Sequence, residues 1–218
     1  MPQFTRANWA ARRKEFANQF PGAYFGDPGD AKRETLEALE NALRAKKEEA
    51  LQKVLTQHPY LFRYAVDGSG HHGTWVFPKQ MIKPPASVRA RGLIPDFLVV
   101  TRSSLGYFWH IVELKRADVQ FSNSKGTGYS AEAQKGLVQC SGYLRHFSDY
   151  IDTVRNNIRI NELIRPVGAI LLIGDSDKES AAQLKCRSDF VRTNSGTAVV
   201  SYRRIVRGLE SDLLAFKR

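Results

Sequence analysis

The sequence predicts an α/β domain in which a central mixed β-sheet is flanked by α-helices. Two apolar runs rich in β-branched and aromatic residues, LIPDFLVV at 93–100 and YFWHIVELK at 107–115, are separated by the turn-like TRSSLG and predict a hairpin. The elements along the whole chain follow the order helix, two or three strands, helix, strand, helix, strand, helix. Such an order is typical of helices packed on the faces of a sheet.

Hydrophobic periodicity defines the helices. Residues 31–57 predict one long amphipathic helix that stops before Pro59, because leucines recur there at helical spacing with charges between them. A second helix is predicted from about 130 to 148, opened by the polar, glycine-containing SNSKGTGYS. A closing helix is predicted after residue 202.

Further strands are indicated by short apolar runs. TWVFPK is a short strand candidate that leads into the basic loop KPPASVRARG. VGAILLIG at 167–174 is continuously apolar, as strands buried on both faces are, and TAVVSY at 197–202 is a further strand. We therefore expect one main domain over 31–218. Residues 1–30 are expected to form a short helix or arm, closed by GDPGD, that packs on the core or on a neighbouring subunit.

Composition limits the partners and the location of the chain. The 218 residues contain 33 Lys and Arg against 22 Asp and Glu, a formal charge of +11, so polyanions such as nucleic acid are the leading candidate partners. No run of about 18 apolar residues and no signal peptide is visible, so we expect a cytoplasmic protein without a membrane partner. Two cysteines are too few for a disulfide framework.

The end of the strand YFWHIVELK carries the candidate chemistry. Because side chains alternate along a strand, Glu113 and Lys115 project to one face. A hairpin register centred on residues 103–106 places Asp96 opposite Glu113. Two carboxylates this close need a cation, and Mg²⁺ prefers carboxylate oxygens, so Asp96 and Glu113 are candidate metal ligands. Lys115 would orient or help deprotonate an attacking water and offset charge in the transition state.

A structural interpretation stands beside this one. The pattern E-x-K is common in basic proteins and has no function when it is a surface pair on a strand. Its position at the end of an apolar strand, with Pro95-Asp96 across the turn, favours a site.

Pro95-Asp96 with Glu113-Leu114-Lys115 resembles the motif of the PD-(D/E)XK nuclease superfamily. The resemblance implies a restriction-endonuclease-like core and phosphodiester hydrolysis with Mg²⁺ or Mn²⁺. It also implies that the carbonyl oxygen of Leu114 completes the metal shell. Gln139 and Tyr143 reproduce the QxxxY motif of several branches, and their spacing puts both on one helix face. The structural alternative is that Tyr143 is a core residue and Gln139 its solvated neighbour.

More narrowly, the chain is similar to the Shedu family. The similarity runs from VLTQHPYLF through RGLIPDFLVV, WHIVELK, AQKGLVQCSGYL and GAILLIGD to VVSYRRI, and so covers most of residues 35–210. It implies an antiviral defence nuclease that acts on DNA, as an endonuclease or a nickase, and assembles as a homo-oligomer.

Other residues remain candidates. Glu40 and Glu48 on the predicted long helix are candidates to reach the metal, as helix acids do in some relatives, and the sequence does not choose between them. The alternative is that they lie on the helix surface. His71-His72 fits a surface loop better than a ligand pair. Five basic residues are candidate contacts to nucleic-acid phosphates: Lys83, Arg89, Arg91, Lys125 and Lys135. Two other functions stay open, a nuclease-fold module that binds nucleic acid or a partner protein without cutting, and a basic RNA-binding protein.

Overall fold

The computed structural model describes residues 13–66, 73–87 and 92–215. Six strands form one sheet in which the spatial order follows the chain order. The strands are β1 (Tyr24–Gly26), β2 (Thr74–Pro78), β3 (Phe97–Ser103), β4 (Gly106–Leu114), β5 (Gly168–Leu172) and β6 (Thr197–Val200). Neighbours from β1 to β4 are antiparallel, whereas β4, β5 and β6 are parallel. The mixed α/β sheet expected from the sequence is therefore confirmed.

Within the described residues, five α-helices with complete bounds flank this sheet: α1 (Arg33–Ala45), α2 (Glu48–Gln57), α3 (Ala131–Ile158), α4 (Ala181–Thr193) and α5 (Tyr202–Ala215). Parallel neighbours require a crossover connection, and α3 and α4 supply the crossovers from β4 to β5 and from β5 to β6. Within the part of the chain that the structure describes, no helix is both long and apolar enough to cross a membrane.

Strand alternation divides the buried residues into two cores. Val112 and Leu114 of β4 face one core, which also contains apolar residues of α1, α2 and α5. Trp109 and Ile111 face the other, which contains Cys140 and other residues of α3 together with Phe190 of α4. The sheet therefore lies between two helical layers, and each helix buries one apolar face against it.

The segment before α1 packs on the core of the same molecule. Phe20 contacts the rings of Trp75 and Trp109 edge to face, and Phe16 contacts Trp75 in the same geometry. Strand β1 then adds to the edge of the sheet beside β2. The arm was expected to pack either on the core or on a neighbouring subunit, and residues 13–26 pack on the core. Residues 1–12 lie outside the described residues.

The prediction of a single long helix over 31–57 is wrong, because two helices occupy this range. Lys46 adopts a left-handed conformation with φ of 55°, which ends α1, and α2 begins at Glu48. The physical reason is packing: the bend lets Leu39 of α1 and both Leu51 and Leu55 of α2 enter the same core. The segment AKKEE at 45–49, where α1 ends and α2 begins, contains no large apolar residue that would hold a straight helix against the sheet.

The helix expected to end near 148 extends to Ile158. Its backbone leaves helical geometry at Tyr150, with φ of −136° and ψ of 31°, and helical geometry resumes afterwards. Val154 beyond this kink is buried in the core on that side of the sheet. The second half of α3 thus continues the same layer in a new direction.

Candidate active site

The start of β3 and the end of β4 bring the candidate acids together. Ser103 pairs with Gly106 and Phe97 with Val112, so the next position along the same register places Asp96 opposite Glu113. The hairpin register predicted from the turn is confirmed. The backbone N–H of Lys115 donates to the carbonyl oxygen of Leu172 at 2.8 Å, which extends the pairing of β4 with β5. The site therefore lies at the ends of two paired strands in the middle of the sheet.

Asp96 is a buried carboxylate that is fixed by hydrogen bonds. Its Oδ2 accepts from the backbone N–H of Leu114 at 2.7 Å. Its Oδ1 accepts from the Nζ ammonium of Lys79. The backbone N–H of Lys79 donates to the carbonyl oxygen of Asp96 at 3.0 Å. The carboxylate is thus held against the end of β4 by one neutral donor and one cation.

Glu113 and Lys115 form a buried ion pair. The Lys115 ammonium donates to Oε1 of Glu113 at 2.7 Å and to the carbonyl oxygen of Leu114 at 3.1 Å. Each of the two charged side chains is only 5% exposed. The backbone carbonyl of Lys115 accepts from the hydroxyl of Tyr202 at 2.9 Å. Both charges expected at the end of the strand are therefore held in place inside the protein.

The electrostatic environment of Glu113 favours a cation. Burial raises the pKa of Glu113, and the nearby charge of Asp96 raises it further, against the opposing effects of Lys115 and Tyr143. The ionised form of this carboxylate is therefore costly without more positive charge close by. A cation bound between Asp96 and Glu113 would relieve that cost.

Helix α3 brings Gln139 and Tyr143 to the same place. The Tyr143 hydroxyl donates to Oε2 of Glu113 at 2.9 Å and lies 3.2 Å from the carbonyl oxygen of Ile94. Burial, followed by the charge of Glu113, raises the pKa of Tyr143 far above its usual value, so the phenol stays a hydrogen-bond donor. Gln139 lies one turn before Tyr143 on the same helix, and its side chain acts on Tyr143 in the opposite direction, lowering the pKa. Among the described residues its buried Oε1 has no hydrogen-bond partner.

The structure separates the two helix acids that the sequence leaves equivalent. Glu48, in the first turn of α2, interacts electrostatically with Lys115 and Asp96, and burial raises its pKa. Glu40 instead lines a cavity of about 250 Å³ beside Asp175 and Arg203. Glu48 is therefore the helix acid that faces the candidate site. The break between α1 and α2, which the periodicity did not reveal, places the two acids on different helices.

Two contacting residues were missed by the sequence analysis. Lys79 follows β2 directly and contacts Asp96, and Tyr202 begins α5 and contacts the backbone of Lys115. The available signal for Lys79 was its position after TWVFP, since that strand pairs with the strand that follows Asp96. For Tyr202 it was the segment VVSYRRI, which the resemblance already included.

The candidate phosphate contacts are only partly described. Lys83, Lys125 and Lys135 are exposed, on the loop after β2, the loop before α3 and the first turns of α3. A backbone bridge between Ile82 and Leu93 closes the base of the loop that contains Lys83, just before Asp96. Arg89, Arg91 and the pair His71-His72 lie outside the described residues. A role for any of these residues in binding stays a prediction.

The donor set of the site fits a hard divalent metal. Among the residues that the structure describes, no three His, Cys, Asp or Glu side chains cluster closely enough to hold a metal ion. The protein ligands would then be two carboxylates, from Asp96 and Glu113, and the carbonyl oxygen of Leu114. Mg²⁺ is commonly held by one or two carboxylates, with water and substrate phosphate as the remaining ligands.

Comparison with known protein families gives a match. The family model described as Shedu protein SduA, C-terminal, matches residues 45–204. That range begins just before α2 and ends in the first turn of α5, so it contains all the residues of the candidate site that contact one another. No curated protein matches the chain.

Proposed function

We propose that this chain, which belongs to the Shedu family, is a metal-dependent nuclease of an antiviral defence system that hydrolyses phosphodiester bonds in DNA. The observation that carries the proposal is the meeting of Asp96, Glu113 and Lys115 at the end of two paired strands. Burial of two acids beside a lysine is costly, and a catalytic site gives a reason for it.

A restriction-endonuclease-like core is part of the proposal. Three features support it: the antiparallel meander of β2, β3 and β4, the crossover helix α3, and β5 beside β4 in parallel orientation. This is the order that the resemblance implies. In such a core the acids stand at the ends of the central strands β3 and β4, where bound DNA would reach them.

Mg²⁺ or Mn²⁺ is the proposed cofactor, held by Asp96, Glu113 and the carbonyl oxygen of Leu114. A divalent cation there would supply Lewis-acid stabilisation of the charge that develops on the phosphate. Asp96 is suited to the role because the backbone N–H of Leu114 fixes its orientation. The orientation of Glu113 is fixed by the side-chain hydroxyl of Tyr143.

Lys115 supplies positive charge to the reaction. Two of its three ammonium protons are directed to Glu113 and to the Leu114 carbonyl, and the third is available to a phosphate oxygen or the attacking water. In a buried site such a charge stabilises the transition state more strongly than it would in water. Tyr143 positions Glu113, and Gln139 on the same helix is assigned a supporting role beside Tyr143.

The proposed substrate is DNA, held by its backbone. The formal charge of +11 favours association with a polyanion. The proposed phosphate contacts are Lys83, Arg89, Arg91, Lys125 and Lys135. Assembly as a homo-oligomer belongs to the same proposal and rests on the family alone.

Incubation of supercoiled and linear DNA with Mg²⁺, with Mn²⁺ or with EDTA tests the proposal. We expect the wild type to cut in either metal, EDTA to stop the reaction, and K115A to lose it. The matched control is K185A, because Lys185 also forms an ion pair but is exposed on α4. Wild-type cleavage by a folded K115A would refute the assignment. DNA binding without cutting would indicate a binding module instead.

A second prediction compares the two helix acids. We expect E48Q to reduce metal-dependent cleavage by about tenfold, because supporting groups of a metal site are typically worth 10–100-fold. The matched control is E40Q, which removes the same charge from α1 without a partner in the site, and it should cut at the wild-type rate. Initial rates at saturating Mg²⁺ provide the measurement. Equal rates for the two variants would remove Glu48 from the site.

A further inference from the structure

Lys79 is a cation of the candidate site to which the proposed nuclease chemistry gives no role. It follows β2 immediately and adopts a left-handed backbone with φ of 50°. That conformation is uncommon for a residue other than glycine. The backbone N–H of Lys79 donates to the carbonyl oxygen of Asp96 at 3.0 Å, and its ammonium donates to Oδ1 of the same residue. Two independent contacts thus fix Lys79 on Asp96.

The two carboxylates of the site each have a lysine partner, but the two lysines differ in exposure. The side chain of Lys115 is 5% exposed and is enclosed with Glu113. The side chain of Lys79 is 50% exposed. Moving Lys115 away would leave a charge buried without a partner, whereas Lys79 can leave Asp96 and enter water at little cost. Lys79 is therefore the exchangeable cation of the pair.

The hydrogen bonds of Asp96 show where exchange would occur. Its Oδ2 is bound to the backbone N–H of Leu114, which cannot move without disturbing β4. Its Oδ1 is bound to Lys79. A divalent cation that ligates Oδ1 would stand against the Lys79 ammonium, and like charges at contact distance repel.

We propose that Lys79 is an internal competitor of the metal: its ammonium occupies Oδ1 of Asp96 and is displaced when the divalent cation binds. This inference rests on the proposed metal site. Lys79 then sets the metal concentration at which the site fills. A DNA phosphate offers the displaced ammonium a new partner, so DNA and metal favour each other's binding through this residue.

Calorimetric titration of the full chain with Mn²⁺, in the absence of DNA, tests the inference. We expect K79M to bind the metal about fivefold more tightly than the wild type, the size expected for the loss of one half-exposed ion pair. K79R retains the charge and should bind no more tightly than the wild type. K185M is the matched control, because it removes an exposed lysine that pairs with Asp189, away from the site.

The stability of the same variants gives a second readout. K79M leaves Asp96 without its cation, so Mn²⁺ should raise its Tm by more than it raises that of the wild type. Unchanged or weaker metal binding by K79M, with wild-type binding that D96N abolishes, would overturn the inference and leave the proposed function standing. If the wild type shows no binding that depends on Asp96, the metal site and the proposed function fail together.

Discussion

The double variant E113Q/K115M is expected to lose metal-dependent DNA cleavage completely and yet to be at least as stable as the wild type. Each single variant should be inactive too, but also destabilised by about 3 kcal/mol. These opposite effects on stability follow from the burial of the pair. They separate a catalytic role of the two charges from a structural one.

The physical reason lies in the cost of taking charge out of water. Glu113 and Lys115 are both buried and are each other's ionic partner at 2.7 Å. Removing one partner leaves the other charge buried and uncompensated, which is strongly destabilising. Replacing both with neutral groups of similar shape removes two desolvation costs at once. Gln retains an oxygen that can accept from Tyr143, so that hydrogen bond is preserved.

Urea unfolding at pH 7.5, together with cleavage assays, measures both effects. The matched control is the exposed pair Lys185 and Asp189, where D189N and K185M, singly or together, should leave the free energy of unfolding nearly unchanged. Two results would contradict the interpretation: a double variant as unstable as the single ones, or cleavage that survives in E113Q with wild-type metal dependence.

The sequence contained enough information for the geometry of the acids. Alternation along a strand is local, and a tight hairpin fixes the register from the position of its turn. The position of the turn was therefore enough to predict that Asp96 lies opposite Glu113. The observed pairing of Ser103 with Gly106 agrees with that register. The apolar runs on either side left little freedom, because a slip by one residue would bury the wrong face.

The contacts that Lys79 and Glu48 make with the site could not be predicted from the sequence. Glu48 faces the site from the first turn of a helix that begins after a break at Lys46, and no proline or glycine marks that break in the sequence. Lys79 reaches Asp96 because its own backbone is left-handed. Both depend on tertiary context, which overrides the helical spacing and strand patterns that the sequence displays.

Acidification is expected to destabilise the protein through His110, which lies in the middle of β4. Its Nε2 is buried and, among the described residues, has no hydrogen-bond partner. Burial lowers the pKa of His110 to about 4. In the unfolded chain a histidine titrates near pH 6.5. Between these two values the unfolded state binds a proton that the folded state excludes, so stability falls as the pH falls.

The expected size of this effect is about 3 kcal/mol, since each unit of pKa difference is worth about 1.4 kcal/mol. We expect the loss to begin below pH 6.5 and to level off near pH 4. Unfolding of the wild type and of H110L at pH values from 7.5 to 4 measures it, because Leu removes the titrating ring from an apolar position. The difference in the free energy of unfolding between the wild type and H110L should change by about 3 kcal/mol between pH 7.5 and pH 4.

His58 provides the comparison. Burial lowers the pKa of His58 too, but the charge of Asp30 opposes that effect, so H58L should alter the pH dependence much less. If the wild type and H110L lose stability in parallel, the imidazole of His110 is protonated in the folded protein. That would require an anion or a water beside Nε2, since an isolated buried imidazolium is too costly. The outcome therefore decides whether water reaches β4 between its turn and the end that contains Glu113.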